Sequence, residues 1–108
     1  MIKIYIKPLS VNECFQGRRF RNKKYIQYEA AVLLLLPKII IPPKPLKIFL
    51  EYGFSNKCSD IDNPTKLVQD ILVKKYGFDD RDIYEAEIKK VIVKKGQEYF
   101  KFDLKTVL

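Results

Sequence analysis

The residues best suited to chemistry lie in one acidic stretch of an otherwise basic chain. They are four carboxylates with one interposed lysine: Asp60, Asp62, Lys66, Asp70 and Asp80. Asp60 and Asp62 are two residues apart, so their side chains can reach one cation together. Oxygen ligands of this kind favour magnesium, with manganese as the alternative. The sequence therefore predicts a hard-cation site in this stretch.

The chain contains no histidine, which removes the usual neutral-pH general base and the usual nitrogen ligand of zinc. Any hydrolysis would have to be run by carboxylates, lysine and a hard cation. Cys14 and Cys58 are far apart and form no CxxC motif, so they predict neither a zinc site nor a disulfide framework. We expect a reduced, cytoplasmic setting and no organic cofactor.

The basic charge is concentrated in the first half of the chain. Residues 1–50 carry ten basic side chains and two acids, a net +8 that equals the excess of the whole chain. The densest run is Arg18, Arg19, Arg21, Lys23 and Lys24, mixed with Phe20 and Tyr25. It predicts phosphate contacts, with the two aromatics either wedged into DNA or anchored in the core. Lys89, Lys90, Lys94 and Lys95 form a second basic patch, which equally suits edge-strand protection.

Hydrophobic periodicity predicts a single α+β domain over residues 1–108, with a mixed β-sheet, two main helices and the order β-α-β-α-β-β. The second helix begins at Pro64, capped by Asn63 or Asp62, and ends at Tyr76 before Gly77. The apolar residues after Asp80 change phase, which predicts a β-bulge near Lys89 and Lys90. The apolar run ending at Leu36 is too short to span a bilayer.

The predicted second helix poses a geometrical problem. At 1.5 Å per residue it is about 20 Å long, so Asp80 leaves from the end opposite Asp60 and Asp62. Either the helix is shorter than its pattern indicates, or Asp80 reaches the acidic pair of a partner subunit.

A structural interpretation of the same residues competes with the chemical one. Asp and Asn before a helix that begins with proline are ordinary caps. Lys66 and Asp70 are four residues apart and form a helical ion pair worth about 0.3 kcal/mol when exposed.

The whole constellation resembles the RusA-type Holliday junction resolvases. The resemblance is carried by Asp-x-Asp-Asn-x-x-Lys at 60–66, by Asp70, by Gly-Phe-Asp-Asp at 77–80, and by Pro-x-Ser-x-Asn at 8–12. It implies a homodimeric, magnesium-dependent endonuclease that cuts four-way DNA junctions symmetrically.

The resemblance also implies roles for individual residues. Asp60, Asp62 and Asp80 would bind the metal and Lys66 would be the essential lysine. Asn63 and Asp70 would lie next to these metal ligands and support them, and Asn12 would belong to the DNA-binding surface. The acids Asp79, Asp80 and Asp82 stand close together, so the choice of Asp80 depends on counting from Gly77.

Two other functions fit the sequence. One is a non-catalytic DNA-binding module in which the aspartates only cap helices and turns. The other is a broader branched-DNA nuclease that acts on flaps or forks. For the homodimer contact we expect the apolar residues 33–36 and 39–41, whose alternative is ordinary core burial.

Overall fold

The computed structural model describes residues 1–9, 15–16, 20–21 and 23–107, and it describes Phe15, Gln16, Phe20, Arg21 and Asn63 by their backbone alone. The elements in chain order are strands β1 (Ile2–Ile4), β2 (Phe15–Gln16) and β3 (Phe20–Arg21), helix α1 (Lys23–Leu35), strand β4 (Leu46–Phe54), helix α2 (Asp62–Tyr76), a 3₁₀ turn (Asp80–Asp82), and strands β5 (Ile83–Ile92) and β6 (Tyr99–Thr106). The predicted α+β class, mixed sheet and two helices are confirmed. The predicted order lacked the β2–β3 hairpin, because two-residue strands are too short to show a periodic pattern.

Four strands form one sheet in the order β1-β6-β4-β5. β6 pairs antiparallel with both β1 and β4, whereas β4 and β5 are parallel. Helix α2 connects these two parallel strands, so the chain returns from the end of β4 to the start of β5. The segments before and after α2 therefore lie toward opposite ends of the sheet.

One face of the sheet is apolar and carries the core. Alternate residues of β4, from Leu46 to Phe54, are buried together with Phe100, Phe102 and Leu104 of β6. Helix α1 packs against this face with Val32 and helix α2 with Val68, Ile71 and Leu72, whereas Leu67 of α2 is buried against Tyr25 of α1 in a second, smaller cluster. The period-two and helical stripes predicted from the sequence are thus confirmed.

The opposite face of the sheet carries charged residues. Glu51 of β4 pairs with Lys101 of β6 at 3.2 Å and accepts a 2.6 Å hydrogen bond from the Tyr99 hydroxyl. This hydrogen bond and the lysine hold the pKa of Glu51 below its ordinary value. The charges on this face are therefore arranged as local pairs.

Gly53 and Tyr99 are register partners at one end of the β4–β6 ladder. A Cβ atom on residue 53 would overlap the Tyr99 ring. The ring thus occupies the space that any larger residue at position 53 would need, which fixes glycine at this position.

The predicted bulge near Lys89 and Lys90 is wrong. The register of β5 is regular from Glu85 onward, and the irregularity lies at its start, between the pairs Leu46–Ile83 and Lys47–Glu85. β5 is an edge strand that is exposed on most of its length, so its out-of-phase apolar residues need no bulge to reach a core.

The apolar segments 33–36 and 39–41, at and after the end of helix α1, are only partly buried. Leu34 is 88% exposed and Ile40 is 95% exposed, whereas Leu36 is buried. Core burial therefore does not account for Leu34 and Ile40, and a subunit contact at these residues stays a prediction. Within the described residues, no helix combines the length and the apolar character needed to cross a bilayer.

Candidate active site

Helix α2 begins at Asp62, two residues earlier than predicted, and its N-cap is Ile61 without a side-chain capping bond. The predicted caps, Asp62 and Asn63, are therefore wrong. Asp62 and Asn63 lie inside the first turn, and the isoleucine at the N-cap has no side-chain oxygen with which to accept a capping bond. The Thr65 hydroxyl donates to the Ile61 carbonyl at 2.6 Å and accepts from the Tyr52 hydroxyl at 3.0 Å. Thr65 thus ties the helix start to the buried face of β4.

Lys66 lies one turn into α2 and contacts two of the predicted carboxylates. Its ammonium group is 3.2 Å from Asp70 Oδ1 and 3.8 Å from Asp80 Oδ2. Asp70 belongs to the same helix, whereas Asp80 follows the end of that helix. The structure therefore brings together three of the predicted site residues.

The helix is not shortened to allow this contact, so that prediction is wrong. The chain instead reverses at Gly77, which has a left-handed φ of 75° and ends the helix with a 2.8 Å bond from its N–H to the Val73 carbonyl. Phe78 is buried against the core, which directs the next residues back along α2. We name residues 77–82 the Asp80 turn.

Within the Asp80 turn, the three neighbouring acids have different partners. Asp79 accepts a 3.1 Å bond from the Arg81 N–H, and Asp82 accepts a 3.1 Å bond from the Asp79 N–H. These two carboxylates form a capping box for the 3₁₀ turn. Asp80 is the one whose carboxylate contacts Lys66. The geometry thus distinguishes Asp80 from its two neighbours, whereas its choice from the sequence depended on counting alone.

Lys44 holds the Asp80 turn from the connector before β4. Its ammonium group is 2.9 Å from Asp82 Oδ2. This contact, with the hydrogen bond from the Asp79 N–H, holds the pKa of Asp82 below its ordinary value. Asp82 therefore supports the turn as an ionised carboxylate.

Asp60 lies elsewhere, in the segment between β4 and α2 that we name the Asp60 loop (residues 55–61). An open cavity of about 440 Å³ lies beside this loop. Polar side chains dominate its lining: Lys7, Ser55, Asn56, Cys58, Ser59, Asp60 and Glu98. Asp60 and Asp62 are both exposed and flank Ile61 at the helix start.

Glu98 is a cavity residue that sequence reasoning missed. Its carboxylate accepts a 2.8 Å bond from the Ser55 hydroxyl. Hydrogen bonds, from its own backbone and from Ser55, hold the pKa of Glu98 below its ordinary value. Glu98 reaches the Asp60 loop because the start of β6 pairs with the end of β4. Only the strand pairing could have revealed this neighbour.

Lys90 of β5 fixes the Asp60 loop. Its ammonium group donates to the Lys57 carbonyl at 2.7 Å and to the Ser59 carbonyl at 2.6 Å. The sequence placed Lys90 in a basic patch, but the structure uses it to hold backbone next to Asp60. It is thus a positioning residue for the loop.

The predicted magnesium site requires several carboxylates that converge on one ion. In the described residues, no three Cys, Asp or Glu side chains converge closely enough to hold one ion. The carboxylates of Asp60, Asp62 and Asp80 therefore do not form a complete ligand set within the described part of a single chain. No side chain is described for Asn63.

The predicted DNA-binding residues fall mostly outside the described part of the chain. Asn12, Arg18 and Arg19 lie outside it, and Arg21 is described by its backbone in β3. Lys23 and Lys24 are exposed in the first turn of α1. Tyr25 is 2% exposed and donates to Glu29 at 3.0 Å. Tyr25 is therefore a core anchor, and its prediction as a DNA wedge is wrong.

Comparison with known proteins adds no relative to this description. No protein-family model matches the chain, and no curated protein matches it. The function must therefore be argued from the residues and their geometry.

Proposed function

We propose that this protein is a magnesium-dependent DNA endonuclease that resolves four-way Holliday junctions by paired, symmetric phosphodiester cuts. The contact of Lys66 with both Asp70 and Asp80 is the observation that carries the proposal. These residues are the lysine and two acids of the motif that resembles the RusA-type resolvases. Lys66 and Asp80 come into contact because the chain reverses at Gly77. Residues that are separated by the spacing of the motif are therefore neighbours in the structure.

The proposed role of Lys66 is to hold the scissile phosphate. Its side chain is 63% exposed, and its contact with Asp80 is long at 3.8 Å. Exposed ion pairs of this kind are worth about 0–1 kcal/mol, so exchanging a carboxylate for a phosphate oxygen costs little. A lysine in this state stabilises negative charge that grows on the phosphate during cleavage.

We assign the metal ligands to Asp60, Asp62 and Asp80, with Asn63 and Asp70 supporting them. Magnesium, or manganese in its place, would neutralise charge on the phosphodiester and its attacking water. Because the described part of one chain does not assemble these ligands, the assignment rests on donor chemistry and on the motif.

The proposed substrate surface is the basic first half of the chain. Asn12, Arg18, Arg19, Arg21, Lys23 and Lys24 would contact the phosphate backbone. No base-reading motif accompanies them, so recognition would depend on the shape and charge of the junction. A four-way junction has approximate two-fold symmetry, and paired cuts therefore call for a homodimer. We place this activity in the cytoplasm.

The decisive experiment compares cleavage of a four-way junction with cleavage of flap, fork and linear duplex DNA in magnesium. We expect symmetric nicks on opposite strands of the junction and much slower cleavage of the other substrates. Cleavage of flaps or forks at an equal rate would favour the broader branched-DNA nuclease.

The variant Asp62→Asn separates catalysis from binding. We expect it to abolish cleavage while junction affinity stays equal or rises, because less negative charge faces the phosphates. The matched control is Asp103→Asn, which removes a carboxylate from the charged face of the sheet instead. If the unsubstituted protein binds junctions and never cuts them, the chain is a DNA-binding module without catalysis.

A further inference from the structure

We infer that two copies of this chain associate through antiparallel pairing of their β5 strands, with a two-fold axis at Ile88. The inference names the surface that would form the homodimer of the proposed function. It rests on the strand itself and not on any cleavage activity.

β5 is a long free edge. It contains ten residues, Ile83–Ile92, and is an outer strand of the four-stranded sheet. On its far side, no strand of the described residues pairs with it. A long edge of this kind is a template for a further strand unless charges or proline block it.

The direction of the backbone amides limits which residues can pair across this edge. The Val93 N–H donates to the Phe54 carbonyl at 2.8 Å, so the amide group of Val93 points toward β4. Amide directions alternate along a strand, so those of Ala86, Ile88 and Lys90 point away from β4. A second β5 strand can therefore exchange hydrogen bonds only between even-numbered residues, while odd-numbered residues lie opposite odd-numbered ones without hydrogen bonds. The two-fold axis must then pass between one residue and its own copy.

The charges of β5 select one register among those allowed. An axis at Glu87 or Lys89 places that residue opposite its own copy, and an axis at Ala86 places Glu85 opposite Glu87. An axis at Ile88 instead places Glu87 opposite Lys89 on both sides of the axis. Opposite charges in this position stabilise a strand pair, whereas like charges destabilise it. The strand is thus complementary to itself about Ile88.

The apolar residues of β5 agree with the same register. Tyr84 is 72% exposed and Ile92 is 47% exposed, and this register places them opposite each other. Lys90, which is tied to the Asp60 loop, faces Ala86, whose methyl group leaves that lysine room. Pairing would therefore cover exposed apolar surface without disturbing the Lys90 contacts.

The pairing has a consequence for the candidate site, and this consequence alone rests on the proposed function. In an antiparallel pair, the start of β5 in one subunit lies beside the end of β5 in the other. The Asp80 turn precedes β5, and Lys90 near the end of β5 holds the Asp60 loop. Both segments, one from each subunit, would lie at the same end of the joined sheet.

The test is a charge reversal with rescue, read by light scattering coupled to gel filtration. We expect the unsubstituted chain to be a dimer. Glu87→Lys and Lys89→Glu should each raise the dissociation constant by about tenfold, since each creates two like-charge pairs. The double variant Glu87→Lys with Lys89→Glu should restore the dimer.

Repulsion between two chains through their net charge alone would give a different pattern of dissociation constants. One single variant makes the chain more basic and the other makes it less basic, so opposite effects of the two would overturn the proposed register. Failure of the double variant to restore the dimer would overturn it as well.

A second variant tests the edge without changing charge. Ala86→Pro removes an N–H that points away from β4, so the fold should persist and the dimer should be lost. Ala86→Ser is the matched control and should remain dimeric.

A chain that is monomeric up to millimolar concentration, or a folded Ala86→Pro variant that still dimerises, would overturn the inference. If the folded Ala86→Pro variant still dimerises, the exposed residues Leu34 and Ile40 become the candidates for the subunit contact. None of these outcomes depends on whether DNA is cut.

Discussion

The Asp60 loop and the Asp80 turn present the acids of the candidate site in different ways. The Asp60 loop is fixed through its backbone, because Lys90 binds the carbonyl groups of Lys57 and Ser59. The Asp80 turn is fixed through its own carboxylates, because Asp79 and Asp82 cap it. The backbone of the loop is therefore held by a remote lysine, whereas the turn is held by side chains of its own. Different changes should disturb the two segments.

The largest effect is expected at Lys66, the one lysine that contacts the Asp80 turn from helix α2. On the proposed function, Lys66→Ala should slow junction cleavage by about 100-fold or more, the loss typical of a group that stabilises transition-state charge. The free energy of unfolding should fall by less than about 1 kcal/mol, because the ion pairs of Lys66 are exposed. Single-turnover cleavage and urea unfolding measure the two quantities.

Lys74→Ala is the matched control for Lys66. Lys74 lies on the same helix, and its ammonium group pairs with Glu29 of α1 at 2.8 Å instead of with a carboxylate of the Asp80 turn. Cleavage should be retained in this variant. If Lys66→Ala cleaves as fast as the control does, Lys66 is a structural ion-pair residue only.

An intermediate effect is expected at Lys90 and confined to the Asp60 loop. Lys90→Met keeps the length of the side chain and removes both hydrogen bonds to the loop carbonyls. Amide hydrogen exchange in residues 55–61 should speed up by about tenfold, since hydrogen bonds to a charged group contribute about 1.5–3 kcal/mol before other contacts compensate.

Exchange in the Asp80 turn should not change in the Lys90 variant. Lys95→Met, in the exposed turn between β5 and β6, removes the same charge and should leave both segments unchanged. An equal increase of exchange in the loop and the turn would show that the two segments are not held independently.

The smallest effect is expected from acid acting on Asp82 of the Asp80 turn. Lys44 holds the pKa of Asp82 below its ordinary value of 3.8. Because the pKa in the folded chain is lower than in the unfolded chain, ionised Asp82 stabilises the fold above the unfolded pKa. That contribution is lost as the pH falls through the folded pKa.

Carboxyl titration by NMR measures this effect. Lys44→Ala should raise the pKa of Asp82 toward its ordinary value, and Lys38→Ala, which removes an exposed lysine from the same connector, should not. An unchanged Asp82 titration in Lys44→Ala would mean that the capping box alone sets it.

Local patterns in the sequence were enough to predict most of the fold. The alternation from Leu46 to Phe54 and the helix ending at Gly77 depend on neighbours a few residues away, and both were predicted correctly. The cap of α2 was wrong because Pro64 lies at the third helical position instead of the first. A shift of two residues in the start of the helix places Asp62, one of the predicted caps, inside the first helical turn.

The candidate site was less predictable because its contacts are long-range. Lys90 is more than thirty residues from the carbonyl groups that it binds. Glu98 reaches the Asp60 loop only through the pairing of β4 with β6. The sequence could identify Asp80 as a site residue by counting, but the partners of Asp79 and Asp82 had to be seen to separate the three acids.

The packing of Tyr99 over Gly53 has a consequence for how this sequence can diverge. Because the ring fills the space of a Cβ at position 53, neither residue can change freely while the other stays the same. Homologous chains should keep glycine wherever they keep an aromatic residue at position 99, and should accept alanine or serine at position 53 only where residue 99 has become small. Positions 53 and 99, on strands far apart in the chain, should therefore covary in an alignment of homologous sequences because of this one steric contact.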